Sequence, residues 1–331
     1  MDVPSIQDMV PLPHVWEQIE RTETRLMDAS ESRDPFLTKV AQHLLAAGGK
    51  RFRPLLALIA ADFGPANDDR PIEAGVAVEL IHVGSLYHDD VIDEATIRRG
   101  ADSANANWDN TVAILAGDFL MARASEVAAT HLGQESVRLL ASTYAELVEG
   151  QTRELQLDFD LDHDPEAYFQ VIGGKTAALI RTSARLGAMA ADADDATVEA
   201  LSSWAWELGL VFQIADDALD LVATESFLGK PAGSDIREGK MTLPVLLAAA
   251  GSDGGRIRDA LGKPPYDDAR VNEVISIVRA GGYVEQSLQE AERRIATADA
   301  AVATLPDIPT RAVLSSLAQF LLDQVTAARS G

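Results

Sequence analysis

The sequence predicts an all-α protein, a single large helical bundle of about ten or more helices around a central apolar cavity. Three observations carry that expectation. Alanine and leucine at helical spacing dominate, and runs of alternating β-branched residues are absent. The breaks are short and carry helix-ending punctuation: GPANDDRP at 64–71, FDLDHDP at 159–165, GKPAGSD at 229–235 and GKPPYDD at 262–268.

In chain order, the first periodic segment covers 11–29. Asp34-Pro35 supplies an N-cap and a first-turn proline for a helix over 35–47. The apolar run LLALIAA marks a core helix over 53–63, and VAVELIHVGSL lies within a longer helix over 71–93. Helices over 107–130 and 134–157 follow. Asp164-Pro165 repeats the capping pattern before a helix over 165–190. Gly173-Gly174 falls inside it at about 1 kcal/mol per glycine relative to alanine, which suggests a kink or a close ligand approach, or a plain helix boundary. A helix over 195–222, another over 241–251 containing LPVLLAAA, and a C-terminal group from about 268 to 328 complete the set. In the last group, ERRIATADAAVATL is amphipathic with a solvated charged face and is assigned no chemistry. No stretch reads as a linker, repeat or low-complexity segment, so residues 1–331 are expected to form one domain.

Composition excludes several functions. Twenty-eight basic residues against fifty-two acidic ones give a net charge of −24, which repels nucleic acid and anionic membrane surfaces; neither is an expected partner. No cysteine occurs, so disulfides and thiolate metal sites are ruled out. The N-terminus has no basic region followed by an apolar one, and no apolar run reaches membrane-spanning length. A soluble, cytoplasmic protein is expected. Of the six lysines, all but Lys39 directly follow a glycine, an arrangement that suits a phosphate oxygen near approachable backbone and equally suits a helix end.

Two acidic clusters stand out. In HDDVIDEATIRRG, Asp89 and Asp93 are four residues apart on one helix face, Asp90 flanks them, and His82 lies two turns earlier on the same stripe. In VFQIADDALDLV, Asp216 and Asp220 repeat the spacing, with Asp217 flanking and Gln213 three residues before Asp216. One such cluster is weak evidence, because most are solvated helix surface. Two copies, each closing an apolar helix, are expected to oppose each other across the bundle as an oxygen-rich mouth. The donor set suits several Mg²⁺ ions completed by water and substrate phosphates. Zinc is disfavoured without cysteine or a spaced histidine pair, and di-iron chemistry without Glu-x-x-His repeats. The cationic complement is AGGKRFRP (Lys50, Arg51, Arg53), RRG (Arg98, Arg99), IGGKTAAL (Lys175, Thr176) and GKPAGSDIREGK (Lys230, Lys240). Direct cations beside metal-bridging carboxylates point to two phosphorylated substrates.

Taken together, G-G-K-R-x-R-P, H-D-D-x-x-D-x-x-x-x-R-R-G, G-K-T-A, F-Q-I-x-D-D-x-x-D and G-K-P-x-G-S-D-I-x-x-G-K-x-T-L-P resemble the trans-polyprenyl diphosphate synthases, in that family's order, over about 35–246. The resemblance implies an isoprenoid-synthase-type all-α fold, a homodimer and Mg²⁺ dependence. It implies that Asp89, Asp90, Asp93, Asp216, Asp217 and Asp220 hold Mg²⁺ on an allylic diphosphate. Arg98, Lys175, Thr176, Gln213, Lys230 and Lys240 would contact that group. Lys50, Arg53, His82 and Arg99 would hold isopentenyl diphosphate without metal. The cations stabilise the departing diphosphate, and proximity brings the second substrate's double bond to the carbocation.

Product length is set below the first cluster. One helical turn, roughly 5–6 Å, below Asp89 lie Gly84 and Ser85, with Ile81 a turn further down. Short-product members of the family commonly place an aromatic ring there or insert residues into the first motif, and this chain does neither. Phe119, Leu120 and Met121 are candidate deeper walls. A product longer than C20, about C30 to C50 and of the kind used for quinone side chains, is expected, with hand-over of the lipid to a membrane. The small residues would equally permit tight helix packing. The alternatives are a shorter-chain synthase such as a geranylgeranyl diphosphate synthase, a class I terpene cyclase, or one subunit of a two-component synthase. Intact Lys50, Arg53 and Arg99 argue against the cyclase, and complete aspartate motifs against the non-catalytic subunit.

Overall fold

The computed structural model describes residues 5–224 and 231–330. Among the described residues the chain is helical apart from one two-residue antiparallel hairpin, β1 (Ile97–Arg98) and β2 (Ala101–Asp102). It divides into two compact units.

The first unit comprises Leu12–Ala145 and Leu179–Ser202. After α1 (Ile6–Met9), which belongs to the second unit, it holds α2 (Pro13–Ala29), α3 (Pro35–Ala41), α4 (His43–Ala46), α5 (Phe52–Ala61) and α6 (Arg70–Ile92). The hairpin, α7 (Ala104–Asn107), α8 (Asn110–His131) and the first half of α9 (Gln134–Leu157) follow. The central element is α6: every residue from Pro71 to Ile81 is buried, and the helix packs against α2, α5 and α8. A helix buried on all faces has to be enclosed by others, which fixes where its acidic end emerges. The expected helix over 35–47 is two helices divided at Gln42. The buried Tyr87 hydroxyl donates to Val40 O at 2.5 Å and accepts from Leu44 N at 3.3 Å, so a side chain of α6 takes up backbone groups at the break.

The second unit comprises Met1–Pro11, Glu146–Ala178 and Ser203–Gly331. It includes α10 (Pro165–Ile172) and a π-turn over Gly173–Ala177 where one unbroken helix was expected, before α11 (Ala178–Ala190). The glycine pair has two packing causes. Gly173 lies under the Trp206 ring, and a Cβ on Gly174 would sit 3.0 Å from both Glu146 O and Gly150 Cα on α9. Next come α12 (Asp195–Val222), a short helix Ser234–Arg237 and a C-terminal group: Leu243–Ala250, Gly254–Leu261, Asp268–Ala280, Tyr283–Val302 and Pro309–Ser330. Gly254–Leu261 was not anticipated. It pairs with Asp268–Ala280, while Tyr283–Val302 packs on both Leu243–Ala250 and Pro309–Ser330. Asp34 and Asp164 cap as expected, accepting from Phe36 N at 2.8 Å and from Glu166 N. No helix among the described residues is long and apolar enough to cross a membrane.

One packing position gives a sharp stability expectation. A Cβ on Gly187 of α11 would lie 1.9 Å from Ala57 O of α5, a backbone atom that cannot swing away. Gly187→Ala is expected to destabilise the protein by about 1–3 kcal/mol or more, read as a lower urea midpoint.

Candidate functional site

In the first unit, α6 delivers Asp89 and Asp90 to its last turn, and Asp93 is its C-cap, with its N–H on Asp89 O at 2.8 Å. Asp89 is half-buried, Asp93 exposed and Asp90 fully buried. The hairpin turns back over this end, so Arg98 Nε donates to Asp90 Oδ1 at 2.6 Å. Burial pushes the Asp90 carboxyl up, opposed by Arg98. Its second oxygen, Oδ2, is buried with no hydrogen-bond donor.

Arg99, next in sequence, goes elsewhere. Its Nη1 donates to Leu44 O at 3.0 Å and Gly48 O at 2.6 Å, and its Nη2 stands 3.7 Å from Glu79 Oε1. Gly48 and Gly49 have φ of 87° and 156°, and a Cβ on Gly49 would meet Arg99 Cζ at 3.0 Å and Arg51 Nη1 at 3.1 Å. The double glycine of GGKR thus bends the chain and leaves room for guanidinium groups. Arg51 points inward to Glu23 and Glu79, while Lys50 is exposed. Burial lowers the Arg53 pKa to about 10, and its Nε makes no hydrogen bond. His82 is held well below its ordinary pKa by burial and by Arg53, Arg99, Arg51 and Arg98, so at neutral pH it is an uncharged imidazole.

Of the expected chain-length residues, Ile81 and Leu120 are buried, and Ser85 is half-buried with its hydroxyl on His82 O at 2.8 Å. Phe119 is half-buried. Gly84 sits at a close helix crossing, the packing alternative raised for it above. A Cβ there would meet Met121 Cε at 3.0 Å, Gly117 O at 3.1 Å and Leu120 Cβ at 3.4 Å, so the glycine serves the close crossing of α6 and α8.

In the second unit, Asp216 is exposed on α12, whereas Asp217 and Asp220 are buried. Asp217 Oδ2 accepts from Tyr168 at 2.6 Å and its Oδ1 from Gln213 Nε2 at 2.8 Å. The Gln213 carbonyl in turn accepts from Thr176 at 2.8 Å. Asp220 accepts from the N–H groups of Ser234 and Asp235 at 3.3 Å each, tying the following loop to α12. A cavity of about 150 Å³ is lined by Asp217, Gln213, Thr176, Lys175 and Lys240 among others. Lys175 Nζ donates to Glu154 at 2.5 Å, and Lys240 Nζ lies 4.0 Å from the same carboxylate. Lys230 lies outside the described residues. Glu23, Glu79, Glu154 and Tyr168 were missed from sequence, because each earns its place through a contact 21 to 49 residues away.

Burial raises the Asp217 pKa to about 7, with Asp216 and Glu154 adding to the rise and Tyr168 and Gln213 opposing it. The folded carboxyl therefore binds its proton more tightly than the unfolded one. In metal-free protein, stability is expected to fall as pH rises from about 4, the unfolded value, to about 7, and Asp217→Asn to flatten that segment of the urea-midpoint profile.

The donor set fits a hard cation. Each cluster offers water-accessible carboxylates, and Asp90 Oδ2 lacks any donor. Among the described residues no group of three His, Asp or Glu side chains forms a ready-made cage. That suits an ion taking one or two carboxylates and completing its shell with water and substrate phosphate.

The family model described as polyprenyl synthetase matches residues 34–278. A nonaprenyl diphosphate synthase of Mycobacterium tuberculosis is 43% identical over 311 residues, covering 93% of this chain and 91% of that one. A polyprenyl synthase from Caulobacter crescentus CB15, solved with calcium and isoprenyl diphosphate, superposes with a TM-score of 0.89 at 34% identity, covering 97% of this chain and 98% of that one. A decaprenyl diphosphate synthase from Rhodobacter capsulatus gives a TM-score of 0.90 at 31% identity, covering 97% and 99%. The expected all-α fold and prenyl-transferring activity hold, and the chain belongs to the polyprenyl synthetase family.

Proposed function

We propose that the chain condenses isopentenyl diphosphate head-to-tail with an allylic diphosphate, in the trans sense, and repeats the addition to a product longer than C20. The observation that carries this reading is that each unit joins an acidic cluster to cationic partners of its own, with some carboxylates buried by structural contacts and others left at the surface. In this reading Lys50, Arg53, Arg99 and neutral His82 hold isopentenyl diphosphate directly. Arg98, Lys175, Thr176, Gln213, Lys230 and Lys240 hold the allylic diphosphate. Mg²⁺, on Asp89, Asp90, Asp93, Asp216, Asp217 and Asp220, supplies neutralisation of the charge that develops on the departing diphosphate. Lys175 leaves Glu154 and Lys240 leaves Glu238 for the incoming phosphate oxygens, and the apolar Val171, Ile172 and Met241 beside that cavity keep water out. No side chain is assigned as the final base, and the proton goes to the released diphosphate.

The single catalytic domain, the cytoplasmic setting and delivery of the lipid product to a membrane belong to the same proposal. So does a homodimer, which is supported by exposed aliphatic residues: Ile114 and Leu115 on α8 in the first unit, Val148 and Leu155 on α9 in the second. Purified protein with Mg²⁺, labelled isopentenyl diphosphate and allylic primers of several lengths is expected to give, after phosphatase treatment, labelled prenols longer than C20. C15 or C20 prenols alone would overturn the length, and no turnover without a second chain would support the two-component alternative.

A further inference from the structure

The guanidinium groups of Arg51, Arg53 and Arg99 meet at one part-buried corner of the first unit, and among the described residues the carboxylates paired there are Glu23 and Glu79. Glu23 takes Arg51 as a fork, Oε1 from Nε at 2.6 Å and Oε2 from Nη2 at 2.9 Å. Arg51 Nη2 also donates to Leu45 O at 3.0 Å, so this arginine, in a left-handed conformation with φ of 46°, is spent on the fold. The other carboxylate is Glu79 on α6, 1% exposed. Its Oε1 accepts from Arg51 Nη1 at 3.1 Å and lies 3.7 Å from Arg99 Nη2. Arg99 is left with one carboxylate shared with Arg51, Arg53 acts on that carboxylate through its charge, and the buried Nε of Arg53 has no hydrogen-bond partner. Like-charged groups this close and this buried separate unless an anion stands among them.

We propose that Glu79 is a positioning residue for the metal-independent diphosphate site: it gathers Arg53 and Arg99 in the unliganded protein and leaves them a positive surplus that a diphosphate completes. This rests on the reading that these arginines hold isopentenyl diphosphate. Burial pushes the Glu79 carboxyl up while Arg51, Arg53 and Arg99 pull it down, as expected for a counter-ion enclosed by guanidinium groups. A full complement of carboxylates would cancel the surplus and weaken anion binding. With none, the arginines would splay apart. One shared carboxylate keeps the donors together and under-neutralised.

The test is steady-state kinetics of Glu79→Gln with each substrate varied in turn. The KM for isopentenyl diphosphate is expected to rise about tenfold or more, as for loss of a charge-assisted contact, while the allylic KM and kcat at saturation stay within about threefold. An unchanged KM for isopentenyl diphosphate overturns the proposal. So does an equal loss across both substrates and kcat, which marks a purely structural residue. If the single variant does not fold, Arg51→Gln with Glu79→Gln removes one charge of each sign and leaves the half-exposed Glu23 in water. The same selective rise is expected there, because Arg53 and Arg99 still lack their carboxylate, and its absence overturns the proposal equally. An inactive parent protein would instead remove the functional reading, whereas an active parent with unaltered variant KM values removes only the role of Glu79.

Discussion

Asp89→Ala and Asp216→Ala should each lower kcat by on the order of 10²–10³ or more, the scale of losing one charge-stabilising group at a reacting centre. These two carboxylates lie on the more accessible side of their clusters: Asp89 is half-buried and Asp216 exposed, whereas Asp90, Asp217 and Asp220 are buried against protein partners. Water reaches both side chains, so truncating either is expected to lower the urea midpoint less than truncating a buried carboxylate does. Asp90→Ala should behave differently. It removes the acceptor of Arg98 Nε, 2.6 Å away, and leaves a guanidinium without its buried partner, so activity and stability fall together. Parallel rate and denaturation measurements on the three variants separate ion holding from structural support. Equal stability losses in all three would contradict the division.

The second large effect is on product length. Ser85 lies one turn below Asp89 on the same face of α6 and is half-buried, its hydroxyl donating to His82 O. Ser85→Phe is expected to place a ring across the path of the growing chain and shift the labelled prenols to C20 or shorter, with turnover retained. Gly84→Phe should not act as a floor. The ring would drive into Met121, Gly117 and Leu120, and overpacking of this kind costs about 1–3 kcal/mol or more, seen as lost stability before any change in product. If Gly84→Phe folds normally and shortens the product while Ser85→Phe does neither, the growing chain passes Gly84 and not Ser85.

Local signals made much of this legible. The bounds of α9 and α12 were readable from periodicity alone, as were the caps at Asp34 and Asp164, because each rests on residues within a few positions of each other. The break at Gln42 was not, since it depends on Tyr87 arriving from another helix. Helix Gly254–Leu261 was hidden by its two leading glycines and its charges. Gly84 reads along the chain as either an opening or a packing position, and its neighbours Met121, Gly117 and Leu120, which come from another helix, are visible only in space. The acidic clusters and their lysines stand out because their spacing is a helical repeat. Glu79 and Glu154 do not, because a lone glutamate in a helix carries no signal until its arginine or lysine partners, 28 and 21 residues away, are seen around it.

In the proposed reading, one diphosphate is held with the help of divalent cations and the other by Lys50, Arg53, Arg99 and His82 without metal. Calorimetric titration with isopentenyl diphosphate and with an unreactive allylic thiodiphosphate, each in Mg²⁺ and again in EDTA, measures this directly. The account predicts that EDTA abolishes binding of the allylic analogue and leaves that of isopentenyl diphosphate essentially unchanged. Equally tight binding of the allylic analogue in EDTA would contradict it.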